Sequence, residues 1–269
     1  MTGPARPLVS FDRVAAIYDA TRGFPDGVED QVGDGLAVLL RPGARLLEVG
    51  IGTGRVAVPL AQRGIRVSGV DISRGMLDVL RRKRRDIDVV LAEAASLPFR
   101  PAAFDAALFV HILHLVPDPE ATLDAALRVV RPGGLLLSCR TDHVHNALSD
   151  ANELVQATAI AMGGVAPSRW RRNERLSGLF AARMAVAGAS LQDTVLARWT
   201  TRETGRELLS DYRSKTRSNT WAIPDAVLPA LIEHLTPELE RMLGGLDTAI
   251  ETASSFWVTV ARLPGLSGP

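Results

Sequence analysis

Between residues 45 and 140 the chain alternates short apolar runs with amphipathic stretches. Such alternation is typical of a parallel β-sheet wrapped by helices. The apolar runs predict five strands, at Arg45–Val49, Ile65–Val70, Asp88–Leu91, Ala103–Val110 and Gly134–Arg140. We expect the last three of these strands to be buried on both faces of the sheet.

The amphipathic stretches between these strands predict helices at Gly54–Arg63, Ser73–Arg85 and Pro119–Val130. Ser73 is the expected N-cap of the second helix, because its hydroxyl can accept a bond from an unpaired backbone amide. Pro59 lies inside the first helix and lacks a backbone donor, so we expect a kink there. The result is a βαβαβ progression.

Helical periodicity also flanks this segment. It predicts helices at Ser10–Ala20, Asp26–Leu40, Ser149–Met162 and Arg172–Val186. Strand character returns at Gln192–Thr200 and Phe256–Leu263, which we interpret as the sixth and seventh strands, one of them antiparallel at the edge of the sheet.

These elements predict a single domain over residues 1–269. Within it we expect several parts: an N-terminal helical cover at 1–44, a core at 45–140, a helical insertion at 141–190, and a last part at 191–269 whose residues 201–252 form a helical cap insertion.

A glycine-rich turn connects the first strand to the first helix, with the sequence Glu48-Val49-Gly50-Ile51-Gly52-Thr53-Gly54. Glycines let the backbone approach a ligand closely, and the amides at a helix start point toward it. Asp71 ends the next strand, about 20 residues on, where a carboxylate can bind ribose hydroxyls. The pattern therefore predicts an adenosine-containing ligand.

A nicotinamide or flavin dinucleotide is the alternative ligand, but its fingerprint requires a third small residue where this chain has Arg55. Glu48 would also repel a pyrophosphate, whereas it would attract a sulfonium compound with a free α-amino group. Electrostatics thus favours the sulfonium.

Several ordered segments resemble class I S-adenosylmethionine-dependent methyltransferases. These segments are Leu46–Gly54, Val70–Leu77, Ala92–Phe99, Phe104–Ala107 and Leu127–Leu137. The resemblance implies an α/β fold with a doubly wound, seven-stranded, mostly parallel sheet of Rossmann-like type, and S-adenosylmethionine as cofactor. Within the class, the Tyr18-Asp19-Ala20-Thr21-Arg22 pattern is similar to small-molecule enzymes related to ubiquinone and menaquinone biosynthesis.

By this resemblance, a set of residues is expected to bind the cofactor: Tyr18, Arg22, Glu48, Gly50, Ile51, Gly52, Gly54, Asp71, Ile72, Met76, Glu93, Ala94, Val110 and His111. By the same resemblance Glu93 and Ala94 would face adenine, Met76 would pack on its ring, and Val110 and His111 would flank the methionine part. The family usually has a shorter aspartate at the position of Glu93. Arg22 has a physical rationale of its own, because a guanidinium can hold a carboxylate with two bonds.

Methyl transfer needs no general base when the acceptor is already nucleophilic, because positioning and exclusion of water supply most of the acceleration. Where a proton must leave, histidine is the usual base. We predict His114 for that role, and His111 and His114 would share a face if their segment were one helical turn. Tyr212 and Trp221, in the 201–252 insertion, are the candidate substrate-binding residues.

Asp142, His143 and His145 could suggest a metal site, but they are too few ligands, and we predict no metal. The net charge of +1 gives no sign of a nucleic-acid partner, and we interpret the basic run Arg81–Arg85 as a helix end whose cations complement the helix dipole. We predict no nucleic-acid partner. Cys139 is the lone cysteine, residues 1–10 lack the apolar core of a signal peptide, and no apolar stretch is long enough to span a membrane. We therefore expect a cytoplasmic protein without integral membrane association.

Together these observations predict an enzyme that transfers a methyl group from S-adenosylmethionine to a small organic acceptor. Two alternatives stay open: a quinone-type C-methyltransferase acting near the membrane, and a protein that binds S-adenosylmethionine without turnover.

Overall fold

The computed structural model describes residues 10–163, 170–216, 220–221 and 223–265, and for 170–175 it describes the backbone alone. Residues 1–9, part of the segment in which we expect no signal-peptide core, lie outside this range. The strands are β1 (Arg45–Val49), β2 (Arg66–Asp71), β3 (Asp88–Leu91), β4 (Phe104–Val110), β5 (Val130–His143), β6 (Ser190–Glu203) and β7 (Ile250–Arg262).

A short 3-10 helix at Asp12–Ile17 precedes the α-helices. The α-helices are α1 (Tyr18–Arg22), α2 (Val28–Leu39), α3 (Ala57–Gln62), α4 (Arg74–Lys83), α5 (Pro119–Val129), α6 (Ala147–Ala161), α7 (Trp170–Val186), α8 (Gly205–Ser214) and α9 (Leu228–Leu243). Ser73 is the N-cap of α4, as predicted, and its hydroxyl accepts a bond from the backbone amide of Met76.

In the described residues the strands form one seven-stranded sheet with the order β3-β2-β1-β4-β5-β7-β6. The pairs from β3 to β5 are all parallel. The amide of Val144, just beyond β5, donates to the carbonyl of Ala253, while that of Leu263 donates to Gly134. Since the partner number rises as the other falls, β7 runs antiparallel to β5. The predicted fold class is confirmed. The antiparallel strand β7 lies between β5 and β6, and β6 is the outermost strand.

The described chain divides into two compact units. The first comprises residues 1–141, 172–197 and 255–269, and its core packs around the sheet, with buried residues such as Leu47, Phe109 and Phe180. The second comprises residues 142–171 and 198–254. Its core is formed by helices α6, α8 and α9, through residues such as Val155, Leu231 and Leu235.

Strand β3 was expected to be buried on both faces, and that prediction was wrong. It is the edge strand of the sheet, and Val90 and Leu91 are 37% and 46% exposed. An edge strand has a neighbour on only one side, so an apolar sequence alone does not ensure burial. By contrast, Ala106, Ala107, Leu108 and Phe109 of β4 are fully buried, because β4 lies between β1 and β5.

The kink predicted at Pro59 is also absent, because the helix begins later than the sequence suggested. Helix α3 starts at Ala57, which puts Pro59 in its first turn. Backbone amides in the first turn have no partner within the helix, so proline loses nothing there. The N-terminal helix differs as well, since a 3-10 helix occupies most of the predicted Ser10–Ala20 segment.

One carboxylate ties the amino ends of three adjacent strands together. Asp105 of β4 accepts a bond of 2.8 Å from the backbone amide of Arg45, the first residue of β1. Its other oxygen accepts a bond of 2.7 Å from Nε of Arg131 in β5. These bonds offset the partial burial of Asp105 and lower its pKa to about 2. The opposite, carboxyl edge of the sheet carries the predicted site.

Candidate cofactor site

The glycine-rich turn after β1 depends on glycine for both its backbone angles and its packing. Gly50, Gly52 and Gly54 have φ angles of +74°, +56° and +80°, which side-chain-bearing residues rarely adopt. A Cβ at Gly50 would lie 2.6 Å from Ile112, and one at Gly54 would lie 2.4 Å from Leu80. The turn is therefore closely enclosed by neighbouring side chains.

Backbone hydrogen bonds attach this turn to the end of β2. The amides of Gly50 and Ile51 both donate to the carbonyl of Val70, at 2.8 and 3.0 Å. The side chain of Ile51 is buried against β2, where a Cβ at Gly69 would lie only 2.3 Å from it. Sequence reasoning missed Gly69, whose lack of a side chain makes room for Ile51.

Asp71, at the end of β2, accepts backbone hydrogen bonds from both sides. The amide of Gly52 donates to one carboxylate oxygen at 2.9 Å, and that of Ser73 donates to the other at 2.8 Å. Burial raises the pKa of Asp71, and the two amide hydrogen bonds partly lower it again. A carboxylate has about four acceptor positions, so Asp71 keeps capacity for a ligand hydroxyl.

Glu48 is a buried carboxyl group beside the same turn, with only 3% of its surface exposed. Among the described residues, no group donates a hydrogen bond to its Oε2. Burial raises the pKa of Glu48 to about 8, while the positive charge of Arg55 partly opposes this and the negative charge of Asp71 adds to it. A buried acceptor without a partner is costly, and a cationic donor group would relieve that cost.

The residues expected around adenine lie close to these carboxylates along the sheet edge. Met76 is buried, and its Cε lies 3.2 Å from the position that a Cβ on Gly52 would occupy. Ile72 and Ala94 are half-buried, while Glu93 is exposed. The backbone amide of Ala92 donates to the carbonyl of Asp71, so the predicted adenine segment begins next to the ribose carboxylate.

His111 directly follows half-buried Val110 at the end of β4 and has the left-handed φ of +51°. Its Nε2 lies 3.1 Å from Oγ1 of Thr141 on β5, and its ring makes an edge contact with Phe256. His114 is half-buried in the turn that follows. The amides of Leu115 and Val116 both donate to the carbonyl of Ile112, which closes this turn. His111 precedes the turn with a left-handed backbone, so the helical spacing expected between the two histidines does not apply.

Tyr18 and Arg22 belong to the first α-helix and are both half-buried. The Tyr18 ring makes an edge contact with Phe11, with centroids 5.9 Å apart. The backbone carbonyl of Arg22 accepts a bond of 2.7 Å from the guanidinium of Arg55. Arg22 is thereby linked to the residue that follows the glycine-rich turn.

The two candidate substrate residues lie in the second unit, and the structure corrects the expectation for Tyr212. It is 1% exposed in the core of that unit, where its hydroxyl donates to Asn152 at 2.8 Å and accepts from Gln156. A side chain this enclosed fills the core and does not line a pocket. Trp221 is half-buried, and its indole N–H donates to the carbonyl of Lys215 at 2.9 Å.

His143, the last residue of β5, and His145 just beyond it have partners of their own. Nδ1 of His143 lies 2.8 Å from the hydroxyl of Ser254, and Nε2 of His145 lies 2.6 Å from a carboxylate oxygen of Asp150. Across the part of the chain that the structure describes, no group of three or more His, Cys, Asp or Glu residues could hold a metal ion. In the same residues, no helix is long and apolar enough to cross a membrane.

Known proteins are similar to this chain in the sequence of its core. Residues 47–138 match the family described as methyltransferase domain. A demethylmenaquinone methyltransferase of Renibacterium salmoninarum is 38% identical over 149 residues, which are 52% of this chain and 60% of the relative. A malonyl-(acyl-carrier protein) O-methyltransferase of Serratia marcescens is 33% identical over 129 residues, covering 48% of this chain and 49% of the relative. The chain thus spans less than two thirds of these relatives.

Solved structures at lower identity share the fold. A Bacillus halodurans protein described as a methyltransferase has a TM-score of 0.55 at 16% identity, and the match covers 87% of this chain and 98% of that one. The cyclase SpnF has a TM-score of 0.53 at 19% identity, covering 96% of this chain and 98% of that one. At these identities the likeness concerns the fold alone.

Proposed function

We propose that this chain, which carries a class I S-adenosylmethionine-dependent methyltransferase domain over residues 47–138, transfers the methyl group to a small organic acceptor. One observation carries the proposal: the buried carboxyl of Glu48 has an oxygen without a hydrogen-bond partner among the described residues. S-adenosylmethionine bears a cationic α-amino group that can donate to such an oxygen and that favours the ionised form of the carboxyl.

The residues present fit this cofactor in other respects. Asp71 retains acceptor capacity for the ribose hydroxyls, and the left-handed backbone at Gly50 and Gly52 forms the turn whose Gly52 amide donates to Asp71. Ile72, Met76 and Ala94 supply the apolar surface expected beside adenine. When bound, the cofactor supplies an electrophilic methyl group on a positively charged sulfur.

The chain's own residues would position the reactants and exclude water, which can account for most of the acceleration. His114 remains our candidate for a general base when the acceptor must lose a proton, and His111 our candidate contact to the methionine part. Both follow β4 at the carboxyl edge of the sheet, where open α/β folds bind ligands.

Specific observations favour two alternative functions. Several relatives are named demethylmenaquinone methyltransferase, which favours a quinone-type acceptor and C-methylation. The likeness to the cyclase SpnF shows that this fold also serves a protein named for another reaction, so binding of S-adenosylmethionine without methyl transfer stays open. We infer a small-molecule acceptor and no nucleic-acid partner from the balanced charge, and a cytoplasmic location from the lone buried Cys139.

Titration calorimetry with S-adenosylmethionine and S-adenosylhomocysteine tests the cofactor, and a panel of hydroxyl, amine and quinol acceptors tests turnover. Binding together with methyl transfer to any small acceptor supports the proposal, and transfer to the carbon of a quinol supports the quinone alternative. Binding without transfer across the panel favours the non-catalytic alternative. No binding of either compound contradicts the proposal.

A further inference from the structure

The residues that we assign to the cofactor lie on one half of the carboxyl edge of the sheet. Glu48 and the glycine-rich turn belong to β1, Asp71 ends β2, and Ala94 follows β3. In the sheet order β3-β2-β1-β4-β5, the carboxyl ends of β4 and β5 form the neighbouring half. Open α/β folds bind ligands along this edge, so the ends of β4 and β5 are available to a second reactant.

A hydrogen-bonded pair of polar side chains lies at these two strand ends. Nε2 of His111, directly after β4, is 3.1 Å from Oγ1 of Thr141 on β5. The backbone amide of His111 also donates to the carbonyl of Cys139 at 3.4 Å. The His111 ring packs edge-on against Phe256 of β7, whose side chain is completely buried. The imidazole is therefore held by both β5 and β7 and has a defined orientation.

The strand register places Thr141 on the same face of the sheet as Glu48. Glu48 pairs with Leu108 of β4, and Leu108 pairs with Leu137 of β5. Paired residues of parallel strands point to one face, as does every second residue along a strand. Leu137, Cys139 and Thr141 therefore share the face of Glu48. In agreement with this, burial raises the pKa of the Cys139 thiol, and the negative charge of Glu48 adds to the increase.

His111 adopts an uncommon backbone conformation between the cofactor turn and Thr141. Its φ of +51° lies in the left-handed region, which residues with a side chain rarely adopt. Ile112, the next residue, packs on the glycine-rich turn, since a Cβ at Gly50 would lie 2.6 Å from its side chain. Uncommon backbone angles of this kind concentrate at functional sites, where the surrounding contacts maintain them.

The chemistry of the pair fits a hydroxyl group as ligand. A threonine hydroxyl has one donor and two acceptor positions, and the bond to His111 occupies one of them. Whichever group donates in that bond, Thr141 keeps a position for a ligand hydroxyl, which can itself both donate and accept. A cationic amine would instead need a carboxylate beside it, and we assign the Glu48 carboxyl to the cofactor.

We propose that His111 and Thr141 form an acceptor subsite that binds the hydroxyl group of the methyl acceptor, so that the acceptor is an alcohol, a phenol or a quinol. This inference rests on the proposed function, because it concerns the second substrate of the same reaction. It adds to the contact with the methionine part that we propose for His111, and it leaves His114 as the candidate base.

The test measures methyl transfer by the full chain to three compounds with the same ring system, α-naphthol, naphthohydroquinone kept reduced under argon, and α-naphthylamine. Thr141→Val removes the hydroxyl and keeps the shape of the side chain, whereas Thr141→Ser keeps the hydroxyl. We expect KM for the two hydroxyl compounds to rise about tenfold in Thr141→Val, as for the loss of one hydrogen bond, and to stay within about threefold of wild type in Thr141→Ser. The calorimetric affinity for S-adenosylhomocysteine should stay at the wild-type value in both variants.

Thr259→Val is the matched control. Thr259 is half-buried like Thr141 and lies on β7, and its hydroxyl donates to Asp193 at 2.5 Å. The same replacement there removes a hydrogen bond that does not involve the His111–Thr141 pair, so KM should stay at the wild-type value. A KM that rises equally in both valine variants would indicate a general disturbance of the sheet and would overturn the subsite.

The remaining outcomes separate the subsite from the proposed function. Methyl transfer to a hydroxyl compound with an unchanged KM in Thr141→Val overturns the subsite alone. Transfer to α-naphthylamine and to neither hydroxyl compound also overturns the subsite and leaves the proposed function intact. Absence of transfer by the wild type to these compounds and to every other acceptor of the panel overturns methyl transfer and the subsite with it.

Discussion

The backbone amide of Gly52 donates a hydrogen bond of 2.9 Å to the carboxylate of Asp71. Gly52 belongs to the turn after β1 and Asp71 ends β2, so this bond makes one binding surface from two separate loops. Asp71 therefore holds the glycine-rich turn in place, in addition to the ribose-binding role that we propose for it.

Replacing Asp71 with alanine should weaken cofactor binding by about 1–3 kcal/mol, because charge-assisted hydrogen bonds are lost. Titration calorimetry with S-adenosylhomocysteine measures the change. Asp78→Ala is the control, since Asp78 lies in the following helix α4 and, in the part of the chain that the structure describes, its ion pair is with half-exposed Arg81. An unchanged affinity in Asp71→Ala would rule out the ribose assignment.

Cofactor affinity should increase with pH between about 6 and 8. The pKa of Glu48 is raised to about 8 by burial, so the carboxyl is mostly protonated at neutral pH. Pairing with a cationic α-amino group favours the ionised form, and binding should therefore release a proton. Calorimetry in buffers of different ionisation enthalpy counts that proton. Glu48→Gln should bind more weakly and release none; proton release that persists in this variant would place its source elsewhere.

The same carboxyl should make the cofactor-free protein less stable as pH rises from 4.5 to 8. In the unfolded chain Glu48 ionises around its ordinary pKa of 4.5, whereas in the folded chain it keeps its proton until about 8. The unfolded state therefore binds fewer protons in this window, and the free energy of unfolding falls. Urea unfolding at several pH values measures the slope, which should be smaller in Glu48→Gln. Equal slopes in the two proteins would contradict the assigned pKa.

Gly54→Ala should destabilise the protein more than Gly64→Ala. Both glycines have φ near +80°, where a side chain costs about 1–2 kcal/mol. A Cβ at Gly64 meets nothing within 4 Å, whereas at Gly54 it would lie 2.4 Å from Cδ1 of the fully buried Leu80. Overpacking adds about 1–3 kcal/mol at Gly54 alone. Urea unfolding of both variants checks this, and equal losses would show that Leu80 can move aside.

His114→Ala should lower turnover more than cofactor affinity if His114 is the general base. The measurement compares kcat with the calorimetric affinity over pH 6–9, using any acceptor that the panel identifies. His145→Ala serves as control, because His145 is exposed and bonded to Asp150. Wild-type turnover in His114→Ala at every pH would exclude the residue from the mechanism.

Much of the fold could be predicted from local sequence, because periodicity and capping act within a few residues. The bounds of β1 and β3 and the N-cap Ser73 agree with the structure. The exposure of β3 could not be predicted, since it depends on which strand becomes the sheet edge. Pro59 was misjudged for a related reason: the effect of a proline depends on where its helix begins, and the turn after β1 delays α3 until Ala57.

The site was less predictable, because its key contacts join residues distant in sequence. Asp19 and Thr53 are 34 positions apart, and Asp12 and Ser73 are 61 apart, so no spacing rule indicates either contact. Tyr212 illustrates a second reason, namely that one side chain can suit either a ligand pocket or the core. Its aromatic ring and hydroxyl suit a ligand pocket, but the same features satisfy a buried core position once Asn152 and Gln156 are nearby.

Asp105 joins the three central strands at their amino ends, away from the predicted cofactor site at their carboxyl ends. Because this single carboxylate clamps Arg45 and Arg131 at the amino edge, cohesion among the three central strands does not depend on the loops at the carboxyl edge. Loop residues at the carboxyl edge that lie outside the glycine-rich turn and Asp71 can therefore change while this clamp stays in place. For protein engineering, the amino edge and the cofactor turn are the parts to leave untouched, and the remaining loops of the carboxyl edge are the part to randomise.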